Sequence, residues 1–273
     1  MPLLHITILA LVQGITEFLP ISSSGHLVLV WEMFDRLGWQ VAEQAPSDRL
    51  ILDIAVHVGT LFAVCLYFWR EMAEMVLGVA KLAIGRWTPG ARLALFVVAG
   101  TIPLVIAGYL LKDLVAAGLR DARIIAWATI GFGILLYVGD QTGMTVRRME
   151  HLTLGSVLLI GLAQVLALVP GTSRSGITMT AARFLGFERA EAARFSLLLA
   201  IPAILGAGTL AGLDIYRAGD LNLGIDAMIA AIISFFLALV AIAVMIRWLR
   251  RASFTPFVVY RILLGGVLLI WFT

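Results

Sequence analysis

The sequence predicts an all-α polytopic membrane protein in which six transmembrane helices and two re-entrant helical hairpins form an inverted-topology repeat. The first observation is composition, because 61% of the 273 residues are hydrophobic, only 14% are charged and the mean hydropathy is +1.01. A soluble domain carries about 25% charged residues and could not bury so much apolar surface, so lipid must be the main solvent. The other observations are six long apolar segments and a pair of shorter, interrupted ones.

The six long segments each approach the length that crosses a bilayer, which is about 20 residues. They are residues 50–69, 93–111, 123–139, 195–213, 226–247 and 256–273. The stretch 70–92 is too mixed in polarity to span, and we expect it to lie at a membrane interface. The net charge of +3 comes from basic residues in short loops, which indicates membrane topology rather than nucleic-acid binding.

The two interrupted segments are predicted to be re-entrant hairpins. Residues 3–36 are broken by Pro20 and the serine run after it, and residues 153–186 are broken by Pro170 and the polar run after it. Proline stops a helix, and backbone groups freed at membrane depth are tolerated only where protein or water satisfies them. Short, interrupted segments in matching places are typical of hairpins that enter the membrane and return.

The same two segments indicate an internal duplication. Aligned on their prolines, PISSSG at residues 20–25 lies over PGTSRS at residues 170–175, and each is followed by three spans. We therefore expect a single membrane domain made of a first repeat, 1–139, and a second repeat, 140–273. Because each repeat has an odd number of spans, the second is inverted, and the two hairpins can meet near the midplane.

The distribution of basic residues predicts the orientation. Loops on the side that the first hairpin enters hold six Lys and Arg residues, whereas loops on the opposite side hold twelve. Since cytoplasmic loops are enriched in Lys and Arg, the side with twelve is cytoplasmic. The first hairpin and both termini then face outward.

The first interrupted segment carries residues that could perform chemistry. Gln13 and Glu17 are four residues apart and share one helix face. A carboxylate in a membrane segment rarely faces lipid, so Glu17 is either a polar helix contact or cap, or a metal ligand or general base. The run SSSGH at residues 22–26 adds three hydroxyls and His26. His26 is either a satisfied interior histidine or, with Glu17 and a serine, part of a group that activates a nucleophile.

The second interrupted segment contains the strongest local signal, PGTSRSGIT at residues 170–178. Arg174 lies in the middle of an apolar segment, where its charge needs an anionic partner. Glycines that expose backbone amides, and hydroxyls at a restarting helix N-terminus, suit a phosphate. The alternative is a structural ion pair between Arg174 and Glu17 across the hairpins. The predicted substrate-binding residues are Gly171, Thr172, Ser173, Ser175, Gly176 and Thr178.

Other polar residues stand near the ends of segments, and we interpret them as structural. These residues are Asp53, His57 and Asp140. The sequence contains neither a GxxxxGK[ST] phosphate-binding loop nor a Cys/His metal cluster.

At these residues the sequence resembles the undecaprenyl-diphosphatase family linked to bacitracin resistance. QGITEFLP at residues 13–20 is similar to the family's [E/Q]-x-x-x-E segment, and SSSGH is similar to the adjoining serine–histidine segment. PGTSRSGIT at residues 170–178 matches P-G-x-S-R-S-x-x-T, and FSLLLAIPA at residues 195–203 is also typical. The resemblance covers nearly the whole chain. At Gln13 many members carry glutamate, so this chain has one fewer carboxylate for a metal.

The resemblance implies hydrolysis of undecaprenyl diphosphate to the monophosphate and inorganic phosphate, which regenerates the lipid carrier of peptidoglycan and other envelope polymers. It implies bacitracin resistance, because bacitracin sequesters the same substrate. With the charge distribution, it implies a multi-pass protein of the bacterial cytoplasmic (inner) membrane whose active site opens to the outer, periplasmic face. The expected partners are the polyprenyl diphosphate lipid, the bilayer and a second copy of the chain in a homodimer.

The resemblance also implies a divalent cation, Mg²⁺ or Ca²⁺. In this interpretation Glu17, helped by Gln13, holds the cation, which neutralises developing negative charge. Arg174 and the backbone amides of Gly171–Gly176 hold phosphate oxygens.

The expected nucleophile is Ser23, and the expected base or acid is His26. Attack by His26 itself or by water stays open. The main rival function is transport of the polyprenyl phosphate carrier, because hairpins that meet at the midplane are a transporter architecture. A non-catalytic membrane scaffold is a third class, which predicts that Arg174, Glu17 and His26 can be replaced without loss.

Overall fold

The computed structural model of the chain describes residues 2–37, 46–111, 121–218 and 221–272, with side chains left out at 46–48, 50, 207–218, 221–223 and 272. Within these residues the secondary structure is helical, apart from one isolated bridge between Arg147 and Phe187. The helices are α1 (Leu3–Thr16), α2 (Ser23–Arg36), α3 (Pro46–Tyr67), α4 (Trp69–Leu82), α5 (Pro89–Leu110), α6 (Ala122–Thr142), α7 (Leu154–Gln164), α8 (Arg174–Phe184), α9 (Arg189–Ala218), α10 (Leu221–Leu249) and α11 (Thr255–Phe272). Short 3-10 turns lie at Met149–His151 and Val165–Leu168.

Several of these helices are apolar enough to lie in a membrane. Among the described residues, Pro89–Leu110, Ala122–Thr142 and Gly224–Leu249 are long and apolar enough to cross a bilayer. A fourth, broken span is formed if α3 and α4, which are bent by 83° at Phe68, are taken together. The all-helical fold is therefore confirmed, with several helices whose length and composition are compatible with a membrane protein. The six predicted spans fall on α3, α5, α6, α9, α10 and α11. The predicted span at 195–213 extends beyond residue 206, where the described side chains of α9 end.

Both interrupted segments are helix–break–helix units, as predicted. α1 and α2 pack on each other across a break after Thr16, and α7 and α8 pack on each other across a break that includes the second 3-10 turn. Each second helix begins after a serine with a positive φ, which is 73° at Ser22 and 70° at Ser173. Each of these serines accepts a hydrogen bond at Oγ from the amide of the glycine three residues later, which caps the helix.

The caps correct the predicted alignment of the two breaks by one residue. Ser22 follows Pro20 by two positions, whereas Ser173 follows Pro170 by three. The extra residue belongs to a tight passage at Gly171, where φ is +93° and a Cβ would lie 2.4 Å from the carbonyl oxygen of Ile125. Only glycine fits so close to the backbone of α6.

In the corrected register, equivalent residues have equivalent surroundings. Ser23 and Arg174 are the first residues of α2 and α8. Gln13 and Gln164 each lie nine residues before their cap, are fully buried and leave Oε1 without a hydrogen-bond partner. Each half contributes a helix that packs on the other half. α1 of the first half packs on α10 of the second, and α7 of the second half packs on α5 of the first. These matches agree with the predicted duplication into 1–139 and 140–273, which stays a prediction.

A buried ionic cluster at Asp140, a residue interpreted from the sequence as structural, joins three helices to the residue that precedes a fourth. Asp140 Oδ1 accepts hydrogen bonds from Nε of Arg183 at 3.2 Å and of Arg189 at 2.6 Å, and Oδ2 accepts one from the amide of Phe254. The side chains of Asp140 and Arg183 are both 1% exposed. α6 is thereby tied to α8, to the start of α9 and to the residue before α11.

We expect Asp140→Ala to destabilise the fold by about 3 kcal/mol or more, because it leaves the buried guanidinium of Arg183 without its carboxylate. The measurement is the thermal unfolding midpoint of the purified protein in detergent. The matched control is Glu150→Ala, since Glu150 is 73% exposed and pairs only weakly. Equal midpoints for the two variants would contradict the structural role.

Candidate active site

Glu17 is the point at which the two hairpins meet. It lies where α1 ends, three residues before Pro20, and is only 6% exposed. Its Oε2 accepts hydrogen bonds at 2.7 Å from Nε2 of Gln13 and from Oγ of Ser23. Its Oε1 accepts one at 3.0 Å from Nη2 of Arg174, on the opposite hairpin. The structure therefore brings together four of the residues that the sequence singles out.

Arg174 pairs with Glu17 and still has a donor to spare. The ion pair that the sequence analysis weighs as a structural alternative is present. However, Nη1 of Arg174 is buried and has no hydrogen-bond partner. An unsatisfied guanidinium nitrogen is costly, and an anionic ligand would satisfy it. The ion pair thus orients Arg174 without using all of its donors.

These groups open into one cavity of about 480 Å³. Its lining is partly polar and partly apolar. The polar lining consists of Glu17, Ser23, Ser24, Asp53, His57, Ser173 and Arg174. The apolar lining consists of Ile54, Leu104, Ala167, Leu168, Ala203 and Ile204. A site with this division suits an amphipathic ligand that has an anionic head.

His57 is a site residue that the sequence analysis missed. Its Nδ1 lies 2.5 Å from the carbonyl oxygen of Asp53, which can only accept, so Nδ1 carries the hydrogen. Nε2 then faces Oε2 of Glu17 at 3.6 Å. Asp53 is held in turn by a hydrogen bond to its Oδ1 from Nε1 of Trp31 at 2.9 Å. The sequence feature that could have pointed to His57 is its position four residues after Asp53, because Glu17 likewise follows Gln13 by four residues.

His26 lies outside this cavity. Its Nε2 is 2.6 Å from the hydroxyl of Tyr260, with the two rings stacked, and its Nδ1 is 2.7 Å from the carbonyl oxygen of Ser22. It lines a separate, mostly apolar cavity between α2 and α11. The imidazole that the structure brings to Glu17 is therefore that of His57.

Most of the predicted substrate-binding residues shape the second break, and among them Ser173 lines the cavity with Arg174. Ser175 donates to the carbonyl oxygen of Leu19, which ties the two breaks together. Thr178 donates to carbonyl oxygens within α8 and contacts Ser196. The amides of Thr172 and Gly176 donate to Val169 O and Ser173 Oγ, so these two amides serve the turn and the cap rather than a phosphate. Gly171 allows the close approach to α6.

Arg261 holds both breaks from α11 and was also missed. It is fully buried, and Nη1 donates to the carbonyl oxygen of Pro20 at 3.1 Å. Nη2 donates to the carbonyl oxygens of Gly171 and Thr172, and Nε donates to that of Thr129 on α6. An arginine inside an apolar segment is itself a signal, because such a charge is costly unless it is satisfied.

The site offers a divalent cation few but suitable ligands. The described residues contain no group of three or more His, Cys, Asp or Glu side chains that could hold a metal ion. Gln13 Oε1 is buried without a partner, one helical turn from Glu17. Mg²⁺ often uses one or two protein oxygens and takes its other ligands from phosphate and water. Glu17 lines the cavity and fits a cation of that kind, whereas Gln13 presents Nε2 rather than Oε1 to Glu17.

Comparison with known proteins identifies the family. Residues 6–267 match the family described as bacitracin resistance protein BacA. The chain belongs to this family. Undecaprenyl-diphosphatase 1 of Rhodospirillum rubrum is 52% identical to it over 98% of this chain and 95% of the relative. The undecaprenyl-diphosphatase of Alteromonas mediterranea is 47% identical over 100% and 99%, and that of Roseobacter denitrificans is 45% identical over 99% of both. The resemblance expected from the motifs is confirmed.

Proposed function

We propose that this protein hydrolyses undecaprenyl diphosphate to undecaprenyl phosphate and inorganic phosphate, which recycles the lipid carrier for peptidoglycan and other envelope polymers. The observation that carries the proposal is the cavity that is lined both by Ser23, which is bonded to Glu17, and by Arg174. The relatives, at 45–52% identity over nearly their whole length, are named for the same hydrolysis. Their names give no support to the rival function, transport of the carrier.

The reaction begins with attack by Ser23 Oγ on the terminal phosphorus. The bond from that phosphorus to the bridging oxygen breaks, and undecaprenyl phosphate leaves. The hydrogen bond from Ser23 to Glu17 supports Glu17 as the acceptor of the serine proton. Water then hydrolyses the phosphoserine, which releases inorganic phosphate and restores Ser23. Arg174 Nη1 donates to a phosphoryl oxygen and offsets charge in both steps.

A divalent cation, Mg²⁺ or Ca²⁺, belongs to the proposal. Glu17 would hold it together with oxygens of the diphosphate, and Gln13 would join by turning its amide so that Oε1, now without a hydrogen-bond partner, faces Glu17. When bound, it neutralises negative charge on the diphosphate. Proton transfer is assigned to Glu17, with His57 beside it, in place of His26, which is engaged with Tyr260.

The proposed topology is six transmembrane helices plus two re-entrant hairpins in an inverted repeat of the bacterial inner membrane. It is supported by the equivalent caps at Ser22 and Ser173 and by the exchanged packing of α1 and α7. The site opens to the periplasmic face, on the side with fewer basic residues. Extra copies of such an enzyme would confer resistance to bacitracin, which sequesters its substrate.

We expect phosphate release from undecaprenyl diphosphate by the purified protein in detergent. A chelator should abolish it and Mg²⁺ or Ca²⁺ should restore it, because the diphosphate charge is then neutralised. A transporter needs two compartments and would release no phosphate in detergent. Phosphate release that persists in the presence of a chelator would refute the requirement for a divalent cation.

Arg174→Lys should lower kcat/KM by about a hundredfold, because one ammonium cannot serve Glu17 and a phosphoryl oxygen as the planar fork does. The measurement is steady-state phosphate release, and the control is Arg251→Lys at an exposed loop position. Near-normal turnover in Arg174→Lys would show that Arg174 acts only through its charge and that its planar guanidinium is not needed.

Ser23→Ala should lower kcat by about a hundredfold or more, which is typical of the loss of a group that acts in proton transfer or nucleophilic attack. His57→Ala should reduce kcat more than His26→Ala does, since only His57 lies beside Glu17. His151→Ala is the control, because His151 lies at an exposed position outside the cavity. A phosphorylated peptide that carries the phosphate on His26 would contradict both assignments.

Orientation is tested by single cysteines in a Cys65→Ala background. Leu37 and Arg86 are both exposed and lie on opposite sides of the proposed membrane. An impermeant thiol reagent applied to intact cells should label Leu37→Cys and spare Arg86→Cys. The reverse pattern would invert the proposed topology.

A further inference from the structure

A second cavity, of about 450 Å³, lies between α4, the start of α5 and the segment that leads into α7. Its volume is within the range of about 300–1,000 Å³ that is usual for small-ligand sites. It shares no lining residue with the active-site cavity. Its lining combines apolar side chains with charges of both signs, so it suits a ligand that has an apolar part and a head with both charges.

The walls of this cavity are held in place by the close packing of α4 on α5. A Cβ on Gly78 would lie 2.2 Å from the amide nitrogen of Ala91, and a Cβ on Gly90 would lie 2.0 Å from the carbonyl oxygen of Glu74. Only glycine lets the two backbones approach so closely. The backbone of Glu74 is therefore fixed against the first turn of α5, which carries Arg92.

Arg92 is the cation of this cavity, and its guanidinium group is already oriented. Its Nη2 donates a hydrogen bond to the carbonyl oxygen of Leu152, and its guanidinium carbon lies 5.1 Å from the centroid of the Phe96 ring. Within the described ranges of the chain, its other nitrogens have no hydrogen-bond partner and no carboxylate pairs with it. An oriented guanidinium with donors to spare suits a phosphate.

Two carboxylates line the same cavity as Arg92. The side chain of Glu74 is exposed and has no hydrogen bond or ion pair with any residue that the structure describes. Glu150 is 73% exposed, and its contact is with His151 at 4.0 Å. A purely anionic ligand would meet both carboxylates. The lining is instead complementary to a zwitterion whose cationic group donates hydrogen bonds.

The rest of the lining favours a lipid over a soluble zwitterion. Leu93 and Phe96 line the cavity from α5, which is one of the helices long and apolar enough to cross a bilayer. Trp87 also lines it, is 64% exposed and lies two residues before α5 begins at Pro89. Tryptophan is enriched where a membrane meets water, because its ring is apolar and its N–H is polar. These features indicate a cavity at the level of the lipid head groups.

We propose that this cavity binds phosphatidylethanolamine, with the phosphate on Arg92, the ammonium on Glu74 and Glu150, and the start of an acyl chain along Leu93 and Phe96. A primary ammonium has three N–H donors for carboxylates, whereas the quaternary ammonium of phosphatidylcholine has none. Phosphatidylglycerol has the phosphate but no cation for the carboxylates. In the proposed topology this site lies in the cytoplasmic leaflet, and it binds lipid whether or not the protein hydrolyses a diphosphate.

Trp87 reports on the occupancy of the site. Brominated acyl chains quench tryptophan fluorescence on contact, so the purified protein in detergent is titrated with brominated phosphatidylethanolamine, phosphatidylcholine or phosphatidylglycerol of identical chains. The signal of the site is the quenching that is lost in Trp87→Phe. We expect phosphatidylethanolamine to bind about threefold more tightly than the other two lipids, as for a partly exposed charge-assisted contact. Equal binding of the three, or tighter binding of phosphatidylglycerol, would overturn the site.

Variants separate the two ends of the head group. Glu74→Gln combined with Glu150→Gln should abolish the preference for phosphatidylethanolamine over phosphatidylcholine, because the carboxylate acceptors are lost. Arg92→Gln should weaken binding of both lipids by about threefold, because both carry the phosphate. The matched control is Arg86→Gln, since Arg86 is exposed one residue from Trp87 but does not line the cavity.

Each other result has a stated meaning. Equal weakening by Arg86→Gln and Arg92→Gln would indicate general attraction at the surface and would overturn the site. An unchanged lipid preference in the double glutamine variant would do the same. Both of its positions are exposed, so this variant decides alone if Arg92→Gln fails to fold.

Soluble glycerophosphoethanolamine distinguishes a lipid site from a site for a small zwitterion. It carries the same head group without acyl chains, and it should displace the brominated lipid about tenfold less effectively, because apolar contact with the chain is lost. Equal displacement by the soluble compound and by unbrominated phosphatidylethanolamine would contradict the assignment to a lipid.

Discussion

One buried guanidinium group holds the two broken hairpins in place. Each break frees backbone carbonyls in the buried interior, and an unsatisfied group in that setting costs several kcal/mol. Arg261 donates to Pro20 in the first break, to Gly171 and Thr172 in the second, and to Thr129 on the helix beside them. Because a single planar side chain meets both breaks, the position of one break determines the position of the other.

The chemistry of the site follows from this alignment. α2 and α8 both begin beside Glu17, and a helix N-terminus carries a partial positive charge that suits an anion. Ser175 adds a direct bond between the hairpins by donating to Leu19. The backbone carbonyls of both breaks, satisfied by Arg261 and Ser175, thus help to bring the reacting groups together.

Much of this architecture was predictable because polar residues inside apolar segments are costly and therefore informative. Glu17 and Arg174 stand out for that reason. The roles of the two histidines could not be predicted, since His26 and His57 make the same local bond, from Nδ1 to the carbonyl four residues earlier. The two histidines differ in the partner of Nε2, which is Tyr260 for His26 and Glu17 for His57. These partners depend on the tertiary structure. Arg261 lies inside an apolar segment and is signalled in the same way, but its partners could not be predicted, because they are backbone carbonyls, which leave no trace in a sequence.

In the predicted duplication, the equivalence of Ser23 and Arg174 means that the two halves of the site must differ in sequence at this position. Both residues occupy the first position after a serine cap, where the side chain has no part in the cap itself. Two identical subunits related by a twofold axis would present the same side chain at both positions, either two hydroxyls or two guanidinium groups. Two halves of different sequence can differ at this position while the capping serine and the glycine that it caps are retained. Asymmetric chemistry is thereby obtained from a nearly symmetric scaffold.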